Sequence, residues 1–271
     1  MVASFGLGLR PPFYAEAALG RVPVDWFELI TENFMVAGGN PLRVLDAVRQ
    51  HYPVALHGVS MNLGGTDPLD KSYLDNLAKL IRRAEPLWIS DHLCWTGHGG
   101  HHLHDLLPLP YTEEMVEHVS CRIREVQERL GQRVLIENVA SYVQFKQSGM
   151  PEWEFISAVA NRADCMILLD VNNLFVSGRN HGFDPRQYIE AVQACRVRQL
   201  HLAGHSVGGP LLIDTHDHPV SEAVWALYRY TLRRLGPLPI MLERDEAIPD
   251  LAQVLQELDR ARAICAEAKA A

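Results

Sequence analysis

EEMVEHVSCRIREVQERLGQRVLIEN, residues 113–138, contains one complete repeating unit of the fold. Val116, Val119, Ile123, Val126 and Leu130 recur at intervals of three and four, which places them on one side of a helix as a stripe that packs on a sheet. Gly131 stops that helix, because glycine takes the left-handed conformation of a helix end without steric penalty. Val134-Leu135-Ile136 then reads as a short strand buried on both faces, and it ends in Glu137-Asn138. The same alternation extends in both directions. Strands are expected at Ser4 to Leu9, Trp26 to Ile30, Val54 to Val59, Leu87 to Leu93, Val134 to Glu137, Met166 to Val171, Val197 to Leu202 and Ile240 to Glu243. Helical spacing marks Pro41 to Gln50, Ser72 to Ala84, Glu113 to Leu130, Glu152 to Asn161, Asp184 to Ala194, Ser221 to Leu235 and Pro249 to Ala268.

Strands alternating with helices imply right-handed crossovers and a parallel sheet. Eight strands in 271 residues suit a closed barrel, which takes about 250 residues as one domain. The expectation is an α/β protein, a single (β/α)8 TIM barrel over 1–271, with the alanine-rich tail 266–271 fraying. The first helical unit is weak, since Pro11, Pro12, Gly20 and Pro23 leave only Phe13 to Leu19 between them. Two long connections, Thr96 to Thr112 and Gly204 to Val220, are rich in Gly, His and Pro and read as lids or binding loops.

The formal net charge of −8 argues against an electrostatically driven nucleic-acid binder. No apolar run reaches the roughly 18 residues of a membrane span, and no secretory signal is readable, so no membrane partner and a cytoplasmic location are expected. The five cysteines are widely spaced without a Cys-x-x-Cys pair, which suggests neither a disulfide framework nor a thiolate zinc site. Phosphate-loop, nucleophile-elbow and His-Glu-x-x-His motifs are absent.

Chemistry is concentrated at the strand ends. A strand buried on both faces should stay apolar, so a His, Asp or Glu at its last position needs a reason. The expected strands end in His57, Asp91-His92, Glu137-Asn138, Asp170-Val171-Asn172-Asn173, His201 with His205 following, and Glu243. In a barrel these ends converge on one mouth. Several carboxylates gathered with imidazoles in one cavity are costly unless protons or cations intervene. Nitrogen and oxygen donors without thiolate suit zinc, manganese or iron, and their number exceeds the needs of one ion, so two or three metals are expected. Asp214-Thr215-His216 in the second long loop presents two more donors on one side of an extended backbone. His98, His101, His102 and His104 lie in a Gly-rich stretch and are weaker candidates. Buried Cys94 reads as packing rather than as a reactive thiolate.

Several longer motifs carry a resemblance. Ser90-Asp91-His92-Leu93, Asp105-Leu106-Leu107-Pro108-Leu109-Pro110-Tyr111-Thr112-Glu113-Glu114, Ile136-Glu137-Asn138, Leu169-Asp170-Val171-Asn172-Asn173, Asn180-His181-Gly182-Phe183-Asp184-Pro185, His201-Leu202-Ala203-Gly204-His205 and Ile213-Asp214-Thr215-His216 occur in order over nearly the whole chain. Together they resemble the multinuclear non-heme iron-dependent oxidative enzymes. The resemblance implies a xylose isomerase-like barrel with two or three irons of mixed Fe(II)/Fe(III) valence. It implies dioxygen as co-substrate and oxidation of cysteines in a ribosomally synthesised precursor peptide, to a heterocycle, a thioamide or a related product. A separate leader-recognising partner protein is implied too. Carried over by motif, Glu137 bridges irons, with Asp170, His201 and Glu243 on one and His57 and His92 on its neighbour; Asn173, His205, Asp214 and His216 complete the coordination. Glu137, Asp170, His201 and Glu243 are the expected catalytic set. Asp91, Cys94 and Arg244 depart from the family pattern, and Arg244 is expected to bring positive charge near the pocket. The competing readings are a divalent-metal sugar isomerase or zinc-dependent hydrolase or endonuclease on the same barrel, and a non-catalytic metal- or peptide-binding barrel.

Overall fold

The structure, a computed structural model, describes residues 3–270, with side chains through residue 268. Twelve strands occur among them: β1 (Phe5–Gly8), β2 (Trp26–Ile30), β3 (Val54–Gly58), β4 (Ile89–His92), β5 (Trp95–His98), β6 (His101–Leu107), β7 (Leu135–Glu137), β8 (Met166–Asp170), β9 (Val197–Leu202), β10 (Ser206–Gly208), β11 (Leu211–Ile213) and β12 (Ile240–Leu242). Strands β1, β2, β3, β4, β7, β8, β9 and β12 pair in parallel in that order, and β12 returns to β1 to close the barrel. These are the eight strands expected from the sequence.

The remaining four strands form two antiparallel hairpins, β5–β6 and β10–β11. They lie in the two long connections expected to be lids or binding loops. The helices are α1 (Tyr14–Ala18), α2 (Asn40–Val48), α3 (Lys71–Ala84), α4 (Glu113–Leu130), α5 (Glu152–Ala163), α6 (Val171–His181), α7 (Pro185–Ala191), α8 (Glu222–Leu235) and α9 (Leu251–Ala270). α6 was not expected, and α9 runs to Ala270, past the point at which the tail was expected to fray; residue 271 lies outside the described residues.

Two separate apolar clusters show how the barrel is filled. One lies between the strands and the helical layer and takes the stripe Val116, Val119, Ile123 and Val126 of α4. The other is inside the barrel: Trp26, Ala55, Leu135, Leu168 and Met241 from β2, β3, β7, β8 and β12, with Trp88 just before β4. Side chains on a strand alternate faces, so the residue two positions further on points inward again, one layer nearer the C-terminal mouth. Those residues are Glu28, His57, Ser90, Glu137, Asp170 and Glu243, all buried. On β9 the corresponding pair is Gln199 and then His201, and on β4 the layer above Ser90 is His92. Strand β1 contributes no inward side chain in either layer: a Cβ on Gly6 would fall within the Trp26 indole, and one on Gly8, level with Glu28, would meet the Arg10 guanidinium.

Candidate metal centre

At the mouth, Glu137 stands between two sets of donors. Its Oε2 lies 3.2 Å from Nε2 of His57 and 3.2 Å from Nε2 of His92. Its Oε1 lies 3.1 Å from Nδ1 of His201, and the same nitrogen is 3.2 Å from Oε2 of Glu243 and 3.9 Å from Oδ2 of Asp170. Every one of these residues is buried.

The surrounding hydrogen bonds decide which atoms carry lone pairs. Nδ1 of His92 is 3.1 Å from the Gly58 carbonyl, which only accepts, so Nδ1 carries the proton and Nε2 is bare. Ser90 donates its hydroxyl to the Leu56 carbonyl at 3.3 Å and therefore accepts from Nδ1 of His57 at 2.8 Å, which leaves His57 Nε2 bare as well. Burial pulls the pKa of His57 well below its ordinary value, and the facing His92 and His201 add to this; burial likewise lowers His92 to about 4. Both rings are neutral, each with a free lone pair on Nε2. Their lone pairs meet Glu137 Oε2, which has no hydrogen-bond partner among the described residues. One proton satisfies at most one of these contacts, whereas one cation satisfies all three. Separations of 3.2 Å are those of neighbouring donors each about 2.1 Å from one ion.

The second set is more acidic. Burial raises Glu137 to about 8, with Asp170 and Glu243 adding repulsion that His201 partly offsets. Burial and Asp214 raise Asp170 to about 7. Burial also disfavours the Glu243 carboxylate, but His216, His201 and Arg10 outweigh it and hold the pKa well below the ordinary range. His201 shows the converse: burial opposes its charge, yet Glu28, Glu137 and Glu243 keep the ring protonated far above pH 6.5. Asp170 Oδ1 accepts the backbone N–H of Asn173 at 2.6 Å and caps α6, while its Oδ2 is buried and has no hydrogen-bond partner. The donor set fits divalent metal at both places.

The other expected donors lie around this core. His216 places Nε2 2.8 Å from Asp214 Oδ1 and Nδ1 3.6 Å from Glu243 Oε2, so Asp214 and His216 adjoin the second set. His205 reaches Asp214 through Asn172, whose Oδ1 accepts from His205 Nδ1 at 2.7 Å and whose Nδ2 donates to Asp214 Oδ1 at 2.6 Å. Asn173 donates its amide N–H to the Asn138 carbonyl, and its Oδ1 is buried and unpartnered. His98, His101, His102 and His104 stand on the β5–β6 hairpin instead, around a cavity of about 1010 Å³ lined also by Glu32, Met61 and Tyr73. Burial pushes the Cys94 thiol well up, so it stays protonated. Arg244 bonds Glu257 of α9 rather than facing the pocket, because it follows the inward Glu243 and points to the other face; the expectation of positive charge from Arg244 is corrected.

Positive charge comes from Arg10. Its Nε is 2.9 Å from Asp245 Oδ1 and its Nη2 3.3 Å from Glu243 Oε1. Arg10, Asp245 and Glu28 escaped the sequence reading. Arg10 and Asp245 follow their strands by two or three residues, and Glu28 sits inside Trp26-Phe27-Glu28-Leu29-Ile30 rather than at its end. Glu28 satisfied the same criterion of a charge in an apolar strand. Asp245, with His216 and Glu243, also forms a third group of clustered donors.

Fold and site together define a TIM-barrel protein with a donor-rich centre at the C-terminal mouth. The chain belongs to the family described as RiPP precursor modification enzyme MbnB/TglH/ChrH, whose model matches residues 4–266. This is the family to which the motifs pointed, and it is one of enzymes acting on ribosomally made peptide precursors. A UPF0276 protein of Anaeromyxobacter sp. (strain Fw109-5) is 56% identical over 98% of this chain and 94% of its own. One from Caulobacter vibrioides is 54% identical over 96% and 93%. Among solved structures, a D-tagatose 3-epimerase-like protein aligns with a TM-score of 0.66 at 14% identity, over 99% of this chain and 100% of that one. An L-ribulose 3-epimerase aligns at 0.63 and 14%, over 99% and 96%. At that identity the likeness shows the fold alone. No helix among the described residues is long and apolar enough to cross a membrane.

Proposed function

We propose that the protein is a multinuclear iron-dependent, dioxygen-using oxidase that modifies cysteine residues of a ribosomally synthesised precursor peptide, delivered by a separate leader-recognising partner. The observation that carries the multinuclear reading is Glu137, whose two oxygens face two different sets of candidate ligands. The second set alone would serve a single divalent ion, whereas His57 and His92 with Glu137 Oε2 offer a second place beside it. Iron, when bound, supplies the activation of dioxygen and a soft acceptor for the substrate thiolate.

The chain's own residues do the rest. His57, His92, Glu137, Asp170, His201 and Glu243 hold the centre, with Asn173 of α6 and His205, Asp214 and His216 of the connection after β9 completing it. Arg10 offsets the negative charge of Glu243 and Asp245 and fixes both carboxylates. Burial of His57, His92, Glu137, Asp170, Asn173, His201 and Glu243 keeps bulk water from the inner donors, which protects an oxidising centre from side reactions. Cys94 remains a buried thiol and does not compete with a substrate cysteine.

The test is elemental analysis with Mössbauer spectroscopy on protein purified without oxygen, followed by exposure of a cysteine-containing precursor to air. At least two coupled irons per chain, and an oxygen-dependent mass loss at cysteine, are expected. Stoichiometric zinc or manganese, with no iron taken up on anaerobic reconstitution, overturns the reading in favour of a hydrolase or isomerase.

A further inference from the structure

The cavity of about 1010 Å³ between the chain that follows β3 and the β5–β6 hairpin begins one peptide group away from the metal centre. The Gly58 carbonyl faces Nδ1 of His92 at 3.1 Å, and the N–H of the same peptide group, on Val59, donates to Glu32 Oε1 at 2.9 Å. Glu32 and Val59 both line the cavity. Its inner wall is clamped in place from α4. Arg122 donates from Nε to the Leu63 carbonyl at 2.9 Å, from Nη1 to that of Asp67 at 2.7 Å and from Nη2 to that of Asn62 at 3.0 Å. The hairpin wall is exposed from His98 to Asp105, which leaves the cavity open to an arriving chain.

The charge of this cavity is one-sided. Among the described residues that line it, four are carboxylates, Glu32, Asp67, Asp70 and Asp105, and one is a guanidinium, Arg122, whose donors are spent on the three carbonyls. Neutral groups hold the carboxylates: the Val59 N–H and Tyr73 hydroxyl on Glu32, the Gly99 N–H on Asp67, the first turn of α3 on Asp70 and the Leu106 N–H on Asp105. The one ion pair they make among the described residues is Asp67 with His98, at 3.4 Å. Glu32 Oε2 has no hydrogen-bond partner there at all. Uncompensated negative charge in a recess attracts a cation. A single metal ion does not suit the geometry, since no three of these side chains bring donor atoms together among the described residues, as those at the centre do. An organic cation needs no such convergence, and Met61, Pro68 and Leu106 add apolar surface for the aliphatic stem of a long basic side chain. We infer that the cavity receives a lysine or arginine side chain of the precursor peptide, and so selects peptides that are basic beside the cysteine to be modified. This rests on the reading of the neighbouring centre as the place where that cysteine reacts.

The test is peptide binding to the purified full chain at pH 8, where an ordinary imidazole is neutral. Two fluorescein-labelled peptides are compared by anisotropy: Gly-Lys-Gly-Lys-Ser-Lys-Gly-Lys-Gly, and the same chain with norleucine for each lysine. Serine stands for the cysteine, so neither iron nor oxygen enters the readout. The lysine peptide should bind about tenfold tighter or more. Glu32→Gln with Asp105→Asn should remove most of that preference, and each replacement keeps an oxygen for the Val59 or Leu106 N–H, so the fold should hold. Asp259→Asn with Glu267→Gln takes the same charge from α9, which does not line the cavity, and should leave the preference unchanged. Equal affinity for the two peptides, no binding of either, or an equal loss in both double variants overturns the proposal. The oxidase reading fails on different results, the absence of iron and of an oxygen-dependent mass loss at cysteine, so the two failures are distinguishable.

Discussion

Asp170 divides its carboxylate between two tasks: Oδ1 caps α6 through the Asn173 N–H, and Oδ2 faces His201. Asp170→Asn keeps an oxygen for the cap, since Asn caps as well as Asp, while weakening the metal donor. Its metal-free form should match wild-type stability within about 0.5 kcal/mol, whereas Asp170→Ala should lose about 1 kcal/mol. Urea unfolding of both metal-free variants, beside their metal content, separates cap from ligand. Glu137 carries a sharper expectation. As the shared residue, Glu137→Ala should strip metal from both donor sets, but His57→Ala should leave the second set loaded. The metal-to-protein ratio after identical anaerobic reconstitution decides this, and equal losses in the two variants would refute sharing. At this scale the site was largely legible, because His57, Glu137, Asp170 and Glu243 each interrupt an apolar strand and so cannot hide. Arg10 and Asp245 were not legible, since a charge in a loop looks solvated until the fold returns it to the mouth. The tautomer-fixing roles of Ser90 and Gly58 depend on cross-strand neighbours that no local pattern reveals.

Elements divide along a similar line. Barrel strands announced themselves through short apolar runs and the helices through three-and-four periodicity. α6 did not, because Asn172, Asn173 and Gly178 are poor helix formers and the helix follows β8 with no loop; the Asp170 cap and the packing of Val171, Leu174 and Val176 make it. The two hairpins were hidden by Gly and His content that reads as loop. Their backbone placement is tight at one point, where Gly204, just past β9, presses against the backbone of His218 so closely that a Cβ would overlap its carbonyl. Neither group is a flexible side chain end, so the clash must be relieved by moving backbone. Gly204→Ala should therefore cost about 3 kcal/mol or more and displace the segment that carries Asp214 and His216. Denaturant unfolding of the metal-free protein measures the first effect. The second should appear as a changed spectrum of the loaded centre, and wild-type values in both would show that the loop yields freely.

Across the whole molecule, the centre makes stability depend on metal and on pH together. Burial holds Glu137 near 8 and Asp170 near 7, and it also raises Glu152, hydrogen-bonded by Tyr111 and Tyr188, to about 7. Each keeps a proton that the unfolded chain releases above about pH 5, so the folded state binds more protons and loses stability as pH rises toward 8. His201 and His216, raised well above 6.5, act in the same direction: their stabilisation is full below that pH and fades as it climbs. His57 and His92 oppose this only below 6.5, where the unfolded chain takes up protons that the folded rings refuse. Above pH 6.5 every contribution has one sign. The metal-free protein should lose on the order of 1.4 kcal/mol per pH unit for each proton so held, read as a falling urea midpoint from pH 6.5 to 8.5. Glu152→Gln should remove its share of that slope and no more. A divalent metal replaces the protons at Glu137, Asp170 and His201 by ligation, so the loaded protein should show a much flatter curve. It should also be more stable by about 2.7 kcal/mol at a hundredfold excess over Kd, which for a chain of this size is a rise in Tm of roughly 5–10 °C. Parallel curves with and without metal would mean that the buried carboxylates are not the groups the metal engages, and the donor assignment built on Glu137 would fall with them.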